Sequence, residues 1–387
     1  MYPNLYYLFK DIFGVEIGFL QIFQSFGVMV AMSFLFAAHF FSKELKRKEK
    51  EGLIGLTTQK TLKGEAPKTS EIITSAFIGF IIFYKLVYIA LHFSAFRSDT
   101  PGFILSLEGN FIGGIAGAAI MGWMRYREKK KEQLEKPEWV TQNIHPYEHV
   151  PNMTLIAAVA GIIGAKIFHN LENLDDFVAD PVGSLISFSG LTMYGGLIVA
   201  SFSVCYYAHK NGIKVSHLVD ACAPSLMLAY GTGRIGCQVA GDGDWGINNL
   251  SQKPSWFFLP DWAWAYNYPN NVNKVCGTPH CDWSQTPYLI HPVFPTPLYE
   301  AIVCIGLFFV LWSVRKRLTT PGVMFCTYLI LNGVERFFIE KIRINTTYNI
   351  FGHHITQAEI ISALLFFLGI AGIFYFRNKQ KLTEIKT

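Results

Sequence analysis

Charged side chains are scarce in this 387-residue chain: Asp, Glu, Lys and Arg make up 16% of it, against about 25% in a soluble globular protein. With 51% hydrophobic and 15% aromatic residues, that shortage excludes soluble domains side by side and points to a membrane protein. Cysteine is also sparse. Seven residues are too few for a disulfide scaffold, and Cys205, Cys222, Cys304 and Cys326 lie in apolar runs, where a thiol packs as a small hydrophobe. Cys276 and Cys281, in the polar run Cys-Gly-Thr-Pro-His-Cys, would close a small disulfide if their loop met an oxidising compartment. The alternative is a zinc site with His280 as third ligand. Met1 to Leu20 lack a basic n-region and a small-residue cleavage site, so the first span is expected to stay in the membrane. Basic residues do not interleave with aromatics as a phosphate-tracking surface requires, which excludes a nucleic-acid partner despite the net charge of +5.

What the chain does have is apolar runs long enough to cross a bilayer. Nine spanning helices are predicted, over 17–40, 72–93, 103–124, 153–171, 185–207, 217–236, 297–314, 321–340 and 357–376. Lys and Arg crowd the stretches between them. With 42–71, 125–152, 206–217, 314–319 and 377–387 on one side, that side holds 23 of these residues and the other six. This asymmetry fits an N-out, C-in, multi-pass protein of the cytoplasmic membrane. The expected fold is all-α and polytopic, a single integral membrane domain over residues 1–387 with 237–295 as a periplasmic loop. Trp245, Trp256, Trp262, Trp264 and Trp283 of that loop are expected at the lipid headgroups.

Charges inside spans are costly and usually face a cavity or a partner. For Lys85, Glu108, Lys166 and Asp220 we expect structural pairing. Arg234 ends one span in Gly-Thr-Gly-Arg-Ile-Gly-Cys, and Arg336 lies at similar depth in another. Arg336, Glu340 and Arg343 are spaced i, i+4, i+7, which places them on one helical face. Two arginines beside glycines make a clamp for a phosphate headgroup, because guanidinium binds phosphate oxygens bidentately; the alternative is snorkelling and structural ion pairing. Tyr194-Gly195-Gly196, mid-span, reads on its own as helix packing. Pro295-Thr296-Pro297-Leu298-Tyr299-Glu300 reads as a helix start.

Taken in order, these segments resemble the prolipoprotein diacylglyceryl transferase family. The order is Phe26 to Met29, Gly161 to Gly164, Tyr194 to Ile198, Asp220 through Ala223-Pro224 to Gly236, Gly241 to Gly246, Pro295 to Glu300, and Arg336 to Arg343. The resemblance covers 17–41 and 153–377 and leaves 72–124 as an inserted helical hairpin on a seven-helix family core. It implies lipoprotein biosynthesis by protein lipidation: a diacylglyceryl group moves from phosphatidylglycerol to the lipobox cysteine of a preprolipoprotein, releasing glycerol phosphate, with membrane lipid as a further partner and no metal or organic cofactor. It implies Arg234, Arg336 and Tyr194 as catalytic positions. It also implies Gly195, Gly196, Asp242, Asp244, Gly246, Tyr299, Glu300, Glu340 and Arg343 as substrate-binding positions.

The chain departs from the family pattern where the chemistry is expected. Tyr194 stands where the family has histidine, putting a phenol of pKa about 10 in place of an imidazole. Cys237 and Ala240 replace two asparagines, Phe26 a tyrosine, Phe294 a histidine and Pro297 a glutamine. A second reading is therefore a relative that binds phospholipid or lipoprotein without transfer, or acts on a different acceptor. A third, an unrelated transporter, lacks its expected inverted repeat with paired broken helices.

Overall fold

The computed structural model describes residues 1–384 apart from 99–101, 104, 105, 188, 189, 191, 279, 280, 351 and 352. Helices carry the fold: α1 (Leu5–Phe13), α2 (Ser25–Lys50), α3 (Thr69–Leu91), α4 (Phe111–Glu132), α5 (Val150–Glu172), α6 (Met193–Lys210), α7 (Val215–Ala240), α8 (Thr296–Val314), α9 (Val323–Glu340) and α10 (Gln357–Glu384). Two antiparallel ribbons pair β1 (Thr57–Lys63) with β2 (Glu138–Ile144) and β3 (Thr347–Ile350) with β4 (His353–Thr356).

Among the described residues, five helices are long and apolar enough to cross a membrane: Ser25–Lys50, Thr69–Leu91, Pro146–Glu172, Thr296–Val314 and Gln357–Lys381. The protein is thus an all-α, multi-pass membrane protein. The other four predicted spans fall on α4, α6, α7 and α9. The 103–124 prediction starts too early. Asn110 caps α4 by accepting the Gly113 N–H at 2.7 Å, and an Asn cap of this kind fixes the first turn.

The chain divides into two compact units, one formed by Met1–Gly55, Pro146–Thr154 and Tyr207–Thr387, the other by Leu56–His145 and Leu155–Tyr206. In the first, α7 lies against α2 and α8, and α9 lies along α10. Small residues on α7 allow this close approach. A Cβ on Gly231 would sit 3.1 Å from that of Cys304, and one on Gly236 2.9 Å from that of Met29. Met227, Leu228, Cys304, Phe308, Leu311 and Met324 form the core between these helices, with the Phe40 ring edge-on to Phe308 at 4.9 Å. Asp220, expected to be structural, accepts the Gly322 and Phe325 amides at 2.7 and 2.9 Å and lies 3.8 Å from Lys48. It thereby satisfies orphan amides at the start of α9.

Beyond α7, the described residues of 241–295 fold into a cap with its own core of Trp245, Tyr268, Leu289 and Val293. Trp245 is 8% exposed and packs 4.9 Å from Tyr268, so it supports the cap from within and does not belong to the headgroup belt predicted for it. Trp256 and Trp262 are exposed. Cys276 and Cys281 form a disulfide, which removes both thiolates as zinc ligands; His280 lies outside the described residues.

In the second unit, α3 and α4 pack through glycine. A Cβ on Gly79 would come within 2.8 Å of that of Met121, and one on Gly113 within 2.7 Å of that of Val87. Lys85 donates to the carbonyls of Phe103 and Glu108 at 3.1 and 2.8 Å, and Tyr88 to the Glu108 carboxylate at 2.7 Å. Gly195 and Gly196 meet α5: their Cβ atoms would fall 2.7 and 2.8 Å from the carbonyls of Gly164 and Gly161. The absence of a Cβ at this pair lets α6 approach α5 closely.

Candidate functional site

The buried charges of the first unit converge at one place, and local geometry brings them there. Gly241 ends α7 in the left-handed conformation (φ 65°), its amide donating to the Cys237 carbonyl at 2.9 Å, as a C-terminal glycine commonly does. Gly243, at φ 98°, continues the hook. Asp244 is thus folded back onto the end of α7, where it pairs with Arg234.

Glu300, on α8, is fully buried and is the hub of the cluster. Its carboxylate takes the Arg234 Nε–H, accepts from the Tyr230 hydroxyl at 2.9 Å, and contacts Arg343 at 3.1 Å and Arg336 at 3.4 Å. Arg336 also pairs with Glu340 at 3.0 Å, and the two oxygens of Asp244 bridge Arg234 and Arg343. Three guanidiniums thus face three carboxylates, which is the condition for a buried ionic cluster to survive its desolvation cost. The Tyr230 ring also lies 5.2 Å beneath the Arg234 guanidinium.

The cap locks onto this cluster at several points. Thr296 donates to the Asp244 carbonyl at 2.8 Å, Tyr299 to the Ala263 carbonyl at 2.7 Å, and the Gly246 amide to the Phe294 carbonyl at 2.8 Å. Gly246 is required there, since a Cβ would run into the Ile342 carbonyl. The Asp242 carboxyl accepts the Asp244 amide at 3.3 Å. Burial, reinforced by the charge of Asp244, pushes the Asp242 carboxyl above the usual carboxylate range.

Arg234, Arg336, Arg343, Glu340, Glu300, Asp242, Asp244, Gly246 and Tyr299 therefore belong to one neighbourhood. Tyr194, Gly195 and Gly196 lie in the other unit, with Tyr194 half-buried near the start of α6. The predicted single helical face for Arg336, Glu340 and Arg343 needs correcting. Helix α9 ends at Glu340, and Arg343 reaches Glu300 because residues 342–343 pair with the cap, the Ile247 amide donating to the Ile342 carbonyl at 2.9 Å.

Sequence reasoning missed Tyr230 and Glu335. The first was signalled by its i, i+4 spacing from Arg234. The second carries no sequence signal of its burial. Among the described residues, Cys237, Asp242 and Asp244 bring three potential metal-ligand atoms within 4.8 Å of one another. Arg234 donates to Cys237 at 3.6 Å and to Asp244, so a cation already occupies that neighbourhood.

On this evidence the fold and site define a multi-pass membrane protein with a buried arginine cluster suited to an anion. Residues 130–375 match the family described as prolipoprotein diacylglyceryl transferase, and the chain belongs to that family. Relatives named phosphatidylglycerol–prolipoprotein diacylglyceryl transferase occur in Dehalococcoides mccartyi, 25% identical across 70% of this chain and 88% of the relative, and in Clostridium tetani, 28% identical across 58% and 79%. Another, in Corynebacterium diphtheriae, is 28% identical across 59% and 77%.

Proposed function

We propose that the protein moves a diacylglyceryl group from phosphatidylglycerol to the lipobox cysteine thiol of a preprolipoprotein in the bacterial inner membrane, releasing glycerol phosphate. The observation that carries this reading is the convergence of Arg234, Arg336 and Arg343 on the buried Glu300. Negative charge grows on the phosphate as its carbon–oxygen bond breaks, and preorganised guanidiniums in a water-poor site stabilise that charge. An apolar groove between α8 and α9, about 380 Å³ in volume and lined by Tyr299, Val303, Leu307, Leu331 and Phe338 among others, is suited to the lipid's acyl chains. The Cys276–Cys281 disulfide supports placing the cap on the oxidising, periplasmic side.

The test is transfer from labelled phosphatidylglycerol to a lipobox peptide by the purified protein in detergent. Product on the cysteine peptide and none on its serine counterpart is the expected result. Lipid binding without product on either peptide would favour a non-catalytic, lipid-binding relative.

Asp244 supplies a gentler test. Its carboxylate is one-third exposed and bridges two guanidiniums, where a phosphate oxygen would go. In Asp244→Asn the competing charge is gone, and inhibition by added glycerol phosphate should tighten about tenfold, equivalent to about 1.4 kcal/mol. Unchanged or weaker inhibition would place the phosphate elsewhere.

A further inference from the structure

Glu335 is used by nothing described so far. It lies on α9 immediately before Arg336, is 7% exposed, and neither carboxylate oxygen has a hydrogen-bond partner among the described residues. A buried carboxyl left this way is costly, and such groups call for an explanation. Glu335 is also the acidic residue in the lining of the α8–α9 groove, among Tyr299, Val303, Leu331, Val334 and Phe338. The charged groups in electrostatic reach are Glu300, Arg336, Arg234 and Arg343, with the Tyr230 and Tyr328 hydroxyls and the Cys304 thiol nearby.

This placement has a chemical meaning that rests on the transferase reading. A phospholipid with its phosphate at the arginines and its acyl chains in the groove has its glyceryl carbon where groove and arginines meet. Glu335 stands at that junction, one residue from Arg336 along the helix. We propose that Glu335 is the proton acceptor for the incoming lipobox thiol.

The proton passes from sulfur to a Glu335 oxygen. The sulfur lone pair then forms the bond to the glyceryl carbon, and the carbon–oxygen bond to phosphate breaks with its electron pair on the phosphate oxygen. The proton leaves with glycerol phosphate, and Glu335 returns to its carboxylate. No oxidant, reductant or metal enters. Glu335 thereby supplies the base that Tyr194, a phenol where the family has histidine, is poorly suited to provide at neutral pH.

Glu335→Gln keeps the shape and removes the basicity. Its thermal midpoint and its KM for phosphatidylglycerol should stay near those of the parent, while kcat with a cysteine peptide falls about 10²–10⁴-fold. A selenocysteine peptide, whose selenol is ionised at neutral pH, needs no base, and with it variant and parent should turn over at similar rates. Wild-type rates with the cysteine peptide, or an equal loss with both peptides, would overturn the assignment. So would selenocysteine rescue in Tyr194→Phe but not in Glu335→Gln. A parent enzyme inactive on the cysteine peptide would sink the transferase reading itself, which is a different result.

Discussion

Glu300→Ala is expected to unfold the first unit's site before it alters any rate. The carboxylate is fully buried and receives Arg234, Arg336, Arg343 and Tyr230 at once. Removing it leaves three guanidiniums facing Asp244 and Glu340 alone. Deleting one partner of a buried ionic cluster costs about 3–5 kcal/mol, because the remaining charge stays desolvated and uncompensated. A folded domain has only about 5–15 kcal/mol in hand. The variant should therefore aggregate or show a sharply lowered thermal midpoint in detergent. Glu300→Gln should recover little, since an amide can accept the Tyr230 hydroxyl but cannot balance the arginines. The diagnostic experiment is the double variant Glu300→Gln/Arg343→Gln, which restores equal numbers of opposite charges. Its thermal midpoint should rise above that of Glu300→Gln. If the double variant is less stable than the single one, charge balance is not what holds the cluster.

The same cluster explains which features could be read from the sequence. The arginines were visible because charges in apolar spans are rare; the hook at Gly241 and Gly243 that returns Asp244 to Arg234 emerges only from the backbone conformation. Their meeting with Glu300 was not visible, because it depends on how α8 packs against α7, and no spacing along the chain encodes that. Helical periodicity places Arg343 on the face of Arg336 and Glu340, but the helix ends at Glu340, and pairing with Gly246 in the cap brings Arg343 to Glu300 and Asp244 instead. Trp245 went astray for a related reason. A tryptophan in a polar loop resembles an interfacial anchor until the loop is seen to have a core. Glu335 is not legible in the sequence, because its burial depends on how α9 packs and no spacing along the chain encodes that. A small pair within a span reads as helix packing, and Gly195 and Gly196 do approach Gly164 and Gly161 closely; their place among the substrate contacts rests on the family resemblance alone.

Arg336→Ala should lower stability by less than Glu300→Ala does and leave the folded protein nearly without transferase activity. Arg336 is the most exposed of the three arginines, its side chain 18% accessible against 9% for Arg234 and Arg343. Glu300 keeps those two arginines when it is lost, and Glu340 keeps its bond from Asn345, so the stability penalty should fall well below that of Glu300→Ala. A guanidinium carries five N–H donors, and the contacts with Glu300 and Glu340 leave others for a phosphate. Loss of one donor aimed at developing negative charge costs about 10²–10³ in kcat, or about 2.7–4 kcal/mol. Arg336→Lys should recover little of it. An ammonium is a compact point charge that cannot hold two carboxylates and a phosphate in one plane. Turnover of labelled phosphatidylglycerol under saturating peptide gives kcat directly, and lipid titration separates it from KM. Should Arg336→Ala turn over at the parent rate, the arginine cluster is structural and the leaving phosphate is stabilised by other groups.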